Sequence, residues 1–321
     1  MKLGVFTVLL GDKSLEEALK YLSNSGVQAV ELGTGGFPGT AHVNPDDLLD
    51  NPAKINELKD LINKYNMEIS ALSCHGNAVH PQKEVAAKFQ KDFEKTVLLA
   101  EQMGLHRVNT FSGCPGDSEG SKYPNWVVCP WPDDFLTILD YQWNEVLIPY
   151  WEKAVKFAND HGVNQICLEM HPGFCVYNPE TLLKLRDAVG DTIGANFDPS
   201  HLFWQGIDPV AAIRKLGPAI YHFHAKDTKI DPINAPINGV LDTKHYGDEI
   251  NRSWVFRSVG YGHDYQVWKD IVSNLRMVGY DYVLSIEHED SLMTPNEGLQ
   301  KAIAFLKDVM TFEDKGAMWW A

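Results

Sequence analysis

The run GVNQICLE, residues 162–169, holds in miniature the unit from which the chain is built: a glycine, a short polar step, and an apolar strand-like run closing on a carboxylate. The unit recurs with Gly26 before AVEL, Gly104 before RVNTF, Gly190 before IGANFD, Gly217 before IYHFH and Gly279 before YVLSIE. Glycine just past a helix ends it by taking the left-handed conformation, and a short apolar run after it reads as a strand. Upstream of most of these glycines lies helical periodicity with a recognisable start, as at Ser14 with Glu17, Asn178 with Pro179 and Asp208 with Pro209. Thr294, Pro295 and Glu297 open the last helix in the same manner. The runs LGVFTV and EISALSC bring the strands to eight. Strands alternating with helices, and apolar along most of their length, predict a parallel sheet covered by helices. Eight such units in 321 residues predict a single (β/α)8 TIM barrel domain over residues 1–321. No GxGxxG follows the first strand, which argues against a dinucleotide-binding fold.

Composition narrows the partners. A hydrophobic content of 44% allows a large core, and a formal charge of -15 repels phosphate backbones and anionic lipid, so neither nucleic acid nor membrane is expected. The opening MKLGVFTVLLGDKS reads as a first strand rather than a signal peptide. No run approaches the roughly 20 apolar residues of a membrane helix. The cysteines at 74, 114, 129, 167 and 175 are odd in number and lack CxxC spacing, which fits a reducing cytoplasm. Met318, Trp319 and Trp320 close the chain, where exposed apolar groups are costly, so they are expected to dock on the barrel or on a second subunit.

Two connections, 112–134 after strand 4 and 227–264 after strand 7, are too long for ordinary βα loops and should roof the catalytic face. They carry Trp126 and Trp131, then Trp254, Phe256 and Arg257. Aromatic faces suit the C–H faces of sugars, and a guanidinium in an acidic roof suits substrate oxygens.

The strand ends carry the chemistry. Glu169, Asp198, His224 and Glu287 each close one of four consecutive strands, and a barrel brings such ends to one axis. Three carboxylates would raise one another's pKa unless a cation stands among them. One divalent ion is therefore expected, with Mn²⁺ the first choice and Mg²⁺, Co²⁺ or Zn²⁺ compatible with the ligand set. His222 shares the strand face of His224, which lies nearer the end and is the preferred ligand. His201, His75 and Lys226 are candidate substrate contacts, and His171, His263 and Asp227 candidate neighbours of the site.

The set CLEMHPG, NFDPSH, HFHAKD and SIEHED resembles the xylose-isomerase-like TIM barrel superfamily of sugar isomerases and epimerases, to which endonuclease IV is related. The resemblance implies that Glu169, Asp198, His224 and Glu287 bind the metal, that Glu169 and Glu287 form the acid/base pair, and that His201 and Arg257 touch substrate. The chemistry is coherent. An ion chelated by a keto sugar acidifies the adjacent C–H and stabilises the enediolate, while two carboxylates remove and return the proton. Loss of a β-substituent from the same intermediate would make the enzyme a lyase or dehydratase of a keto-glycoside or keto-polyol, and two long aromatic connections suit a substrate larger than a free pentose. A phosphodiesterase of the endonuclease IV kind would need further histidines, and Asn109 stands where one would be expected. A non-catalytic sugar-binding barrel would have lost at least one of the two glutamates.

Overall fold

The structure, a computed structural model, describes residues 1–320. Local signals act where the sequence places them. The Ser14 hydroxyl accepts from the Glu17 N–H while the Glu17 carboxylate accepts from the Ser14 N–H, starting the helix Leu15–Asn24. Asn178, Asp208 and Thr294 cap the helices Pro179–Val189, Pro209–Leu216 and Pro295–Val309, each with Pro at the first helical position. All six signal glycines have positive φ.

The strands are β1 (Lys2–Phe6), β2 (Ala29–Gly33), β3 (Glu68–Ser73), β4 (Arg107–Thr110), β5 (Gln165–Glu169), β6 (Ile193–Phe197), β7 (Ile220–Ala225), β8 (Asp227–Ile230), β9 (Trp254–Arg257) and β10 (Val283–Ile286). Eight of them close into a parallel barrel in the order β1-β10-β7-β6-β5-β4-β3-β2. This is the (β/α)8 architecture expected from the repeating unit.

Of the two long connections, the first is irregular up to Asp133 and the second carries strands of its own. The first runs into the helix Asp134–Asp140, a π-helical stretch Tyr141–Leu147 and the helix Ile148–Asp160 without interruption. The second contains an antiparallel hairpin in which Asp227 pairs with Arg257 and Ile230 with Trp254. A separate small core of Trp204, Trp254 and Phe256 supports this hairpin, with Trp126 packed against it. Asp227 ties the two ends of the insertion together. It accepts from the backbone N–H groups of Gly260, Gly262 and His263, from His263 Nδ1 at 2.7 Å and from Trp268 Nε1 at 3.2 Å. Asp227 and His263 therefore serve the hairpin base rather than the metal group. Met318, Trp319 and Trp320 remain largely exposed and do not dock on their own barrel. No helix among the described residues is long and apolar enough to cross a membrane.

Gly36 holds the loop after β2 against β3's end. Its N–H donates to Asp92 at 3.0 Å, its φ is +63°, and a Cβ there would lie 2.0 Å from the His75 carbonyl oxygen. Gly36→Ala is expected to cost at least about 2 kcal/mol, through the left-handed backbone and displacement of His75. The check is a lower denaturant midpoint at unchanged m-value.

Candidate metal centre and catalytic carboxylates

Each side chain of the central group is set by a strand end. Glu169 is the last residue of β5, Asp198 follows β6, His224 lies one residue before the end of β7, and Glu287 follows β10. Their donor atoms lie within 4.8 Å of one another. Asp198 spends Oδ1 as the cap of the helix Pro199–Phe203, accepting from the Ser200 N–H at 2.8 Å. Its Oδ2 is buried without a hydrogen-bond partner, as is His224 Nδ1. His224 Nδ1 lies 3.3 Å from Glu169 Oε2 and 3.2 Å from Glu287 Oε2.

The charge balance shows what the group lacks. Burial raises the Asp198 carboxyl, Glu169 and Glu287 add to that, and even with Lys226 opposing, it is pushed up to about 7. Burial would also raise Glu169, but His201, hydrogen-bonded to it, and the His224 and His75 rings close beside it hold it well below the ordinary value. Lys226 and then His224 outweigh burial at Glu287 and bring it down to about 2. Burial, with Glu169 and Glu287 adding to it, thus works against ionisation of Asp198 even though Lys226 Nζ lies 3.2 Å from its Oδ2. A divalent cation would satisfy the orphaned oxygen and nitrogen and let Asp198 ionise. The donors fit such an ion, with three carboxylates and one imidazole suiting Mn²⁺, Mg²⁺, Co²⁺ or Zn²⁺.

Around this group stand most of the expected substrate contacts. His201 Nε2 lies 2.9 Å from Glu169 Oε1, and burial, with His171 and Lys226 nearby, lowers its pKa to about 3, so it is neutral. His75 Nε2 lies 3.1 Å from Glu169 Oε2. Lys226 Nζ donates to Glu287 at 2.7 Å and to Glu289 at 2.9 Å, and lies 4.7 Å from the centre of the Phe256 ring. His171 packs on His201 with ring centroids 4.0 Å apart. A cavity of about 230 Å³ opens over Glu169 and Glu287, walled by Phe6, Phe37, Phe111 and His75.

Two expected contacts are not brought there. Arg257 Nε donates to Asp290 at 3.0 Å, and its guanidinium lies over Tyr261, away from the lining of this cavity. Trp131 is exposed on the first connection and does not line the cavity either.

One functional residue escaped the sequence reading. Glu31, fully buried in β2, accepts from Ser73 at 2.6 Å, Ser285 at 2.7 Å, Asn109 at 2.9 Å and His224 Nε2 at 2.9 Å. Burial opposes its charge, but His224, His222 and the hydrogen bonds hold its pKa far below the ordinary value. An ionised Glu31 requires a proton on His224 Nε2, which leaves Nδ1 as the atom available to a metal. His222 sits deeper, on Asn196 Oδ1 at 2.9 Å and Ser70 at 3.2 Å. Asn109, the position where a nuclease would carry a histidine, is spent on Glu31 and His222.

Comparison with known proteins places the fold. The chain is 41% identical to the uncharacterized protein YfiH of Bacillus subtilis, over 97% of this chain and all of that one. It is 24% identical to an inosose dehydratase of Mesomycoplasma hyopneumoniae, over 94% and 91% of the two chains. The solved IOLI protein with a binding zinc atom shares the fold at a TM-score of 0.66 and 19% identity, covering 96% of this chain and 98% of that one. Epimerases and dehydratases both occur on this fold. The xylose isomerase-like TIM barrel model matches residues 19–309, and the chain belongs to that family.

Proposed function

We propose that this protein is a divalent-metal-dependent isomerase or epimerase of a keto sugar or related carbohydrate, working by carboxylate-mediated proton transfer. The observation that carries the reading is that Glu169 and Glu287, both held ionised, line one small cavity from the ends of β5 and β10. Glu169, Asp198, His224 and Glu287 would hold the ion, which when bound polarises the substrate carbonyl. One glutamate then removes the proton from the carbon beside that carbonyl, and the other returns one, to the opposite face or to the neighbouring carbon. His201, neutral and fixed on Glu169, offers its remaining ring nitrogen to a hydroxyl. Phe6, Phe37 and Phe111 exclude water from the carbanion and pack on C–H groups.

A lyase is the second reading, and two observations favour it. A relative named as inosose dehydratase spans 94% of this chain. Lys226 also sets an ammonium charge beside Glu287, where it can balance charge developing on a departing oxygen.

Proton exchange in D2O against a panel of keto sugars, cyclic keto-polyols and keto-glycosides, with Mn²⁺ supplied, tests both. Exchange with retention of all carbon–oxygen bonds is the expected result for an isomerase or epimerase, and loss of water or an aglycone marks the lyase. Absence of exchange and elimination on every member would overturn the proposal. Metal analysis is expected to give one ion per chain, and three zinc ions would revive phosphodiester hydrolysis.

A further inference from the structure

We infer that the insertion between β7 and the helix Tyr265–Met277 builds a second subsite, which takes a hydroxyl-bearing six-membered ring joined to the reacting keto sugar. The substrate is then a keto-glycoside of disaccharide size rather than a free ketose. This rests on the keto-sugar reading of the metal centre.

The metal cavity is too small by itself. At about 230 Å³ it falls below the roughly 300–1,000 Å³ common for small-molecule sites. A second cavity of about 370 Å³ adjoins it, and Glu289 lines both. Lys226 bridges Glu289 to Glu287, so a group resting on Glu289 from the second cavity lies one ammonium away from the metal carboxylates. The Phe111 and His171 rings, 5.0 Å apart, link the two spaces on another side, since Phe111 lines the first and His171 the second.

The lining specifies the occupant. Tyr246 and Phe256 lie nearly parallel, with centroids 5.8 Å apart and planes inclined by 23°. Phe256 is buried behind Tyr246, and the exposed Tyr246 ring offers this cavity an aromatic surface of the kind that accepts the C–H face of a sugar ring. Glu289, Ser291 and His171 supply polar atoms along the edge of the same cavity, where hydroxyls would stand. Arg252 also lines the cavity, but its guanidinium group donates to the Lys244 and Trp254 carbonyls and lies against both the Tyr246 and Trp254 rings. Lys226 is committed to carboxylates. With both cations engaged and a carboxylate at the junction, the subsite disfavours phosphate and suits a neutral polyhydroxylated ring.

The second cavity is a construction of the insertion. Tyr246, Arg252, Val255 and Phe256 all come from it, and the Trp204–Trp254 stack, at 4.6 Å and 7°, fixes it to the barrel. Phe256 meets His201 edge-on at 5.3 Å, so the wall of the outer ring touches the histidine that braces Glu169.

The test compares three ligands that share one keto sugar and differ in the group at the glycosidic oxygen: methyl, phenyl and a second pyranose. Binding to the Glu287→Gln protein is read by calorimetry, which needs no turnover, and kcat/KM is read on the wild type. The disaccharide is expected to bind about tenfold or more tighter than the methyl glycoside. Tyr246→Ala is expected to erase that ratio, and Tyr246→Phe to keep it. Equal affinity for methyl glycoside and disaccharide, or a ratio unchanged in Tyr246→Ala, overturns the subsite. A phenyl glycoside that matches the disaccharide overturns the assignment to a hydroxyl-bearing ring. Failure of the enolisation reading is distinguishable, because it removes exchange and elimination while leaving the binding ratio to be measured.

Discussion

Glu287→Gln is expected to lower proton exchange by about 10²–10⁴-fold at saturating metal, with the folded state kept. The substitution preserves volume and removes the capacity to hold a proton. Glu287 is the more accessible of the two catalytic glutamates and keeps its charge through Lys226 and His224 rather than through a dense hydrogen-bond shell. Its loss therefore disturbs the surroundings less than loss of Glu169, on which His75, His201 and His224 all converge. Glu169→Gln should reach the same catalytic deficit with a lower melting temperature as well. Exchange in Glu287→Gln above about a tenth of the wild-type rate would remove the carboxylate pair from the mechanism.

Glu31→Gln is expected to weaken metal binding by about 10–100-fold and to recover most activity when metal is raised to saturation. Glu31 touches no substrate cavity and acts through His224, whose Nε2 proton it fixes. A glutamine can offer one oxygen to that N–H, but without the charge it neither polarises the imidazole nor selects its tautomer as strongly. Competition against a chromophoric chelator measures the affinity directly. An unchanged constant would reduce Glu31 to a buried packing group. Exhaustive chelation of the wild type should abolish turnover and readdition restore it, so full activity in metal-free protein would sink the reading altogether.

The barrel was legible because its signals are local. Gly26, Gly104, Gly162, Gly190, Gly217 and Gly279 act through their own φ angles, and the caps at Ser14, Asn178, Asp208 and Thr294 act within one turn. The convergence of Glu169, Asp198, His224 and Glu287 was legible because barrel closure converts strand ends into neighbours whatever their distance along the chain. Glu31 obeys the same chemistry, yet AVEL misleads: the strand continues to Gly33, so Glu31 lies inside the barrel instead of at its rim. A carboxylate inside an otherwise apolar strand was the available signal. Arg257 and Trp131 failed for the opposite reason. Both sit on long connections whose course depends on tertiary packing, and the hairpin that pairs Arg257 with Asp227 has partners separated by 23 intervening residues, with no short turn to announce them.

The Asp227 clamp has an evolutionary reading. One carboxylate gathers both feet of the insertion, and its register partner Arg257 lies directly across the base. Beyond that knot the hairpin packs through Trp254 and Phe256 on Trp204 of the barrel. Changes in the hairpin beyond the knot are therefore expected to leave in place the strands that bear the candidate metal carboxylates. New specificities in such a barrel can arise by transplantation of a clamped module, with inherited chemistry left intact beneath it.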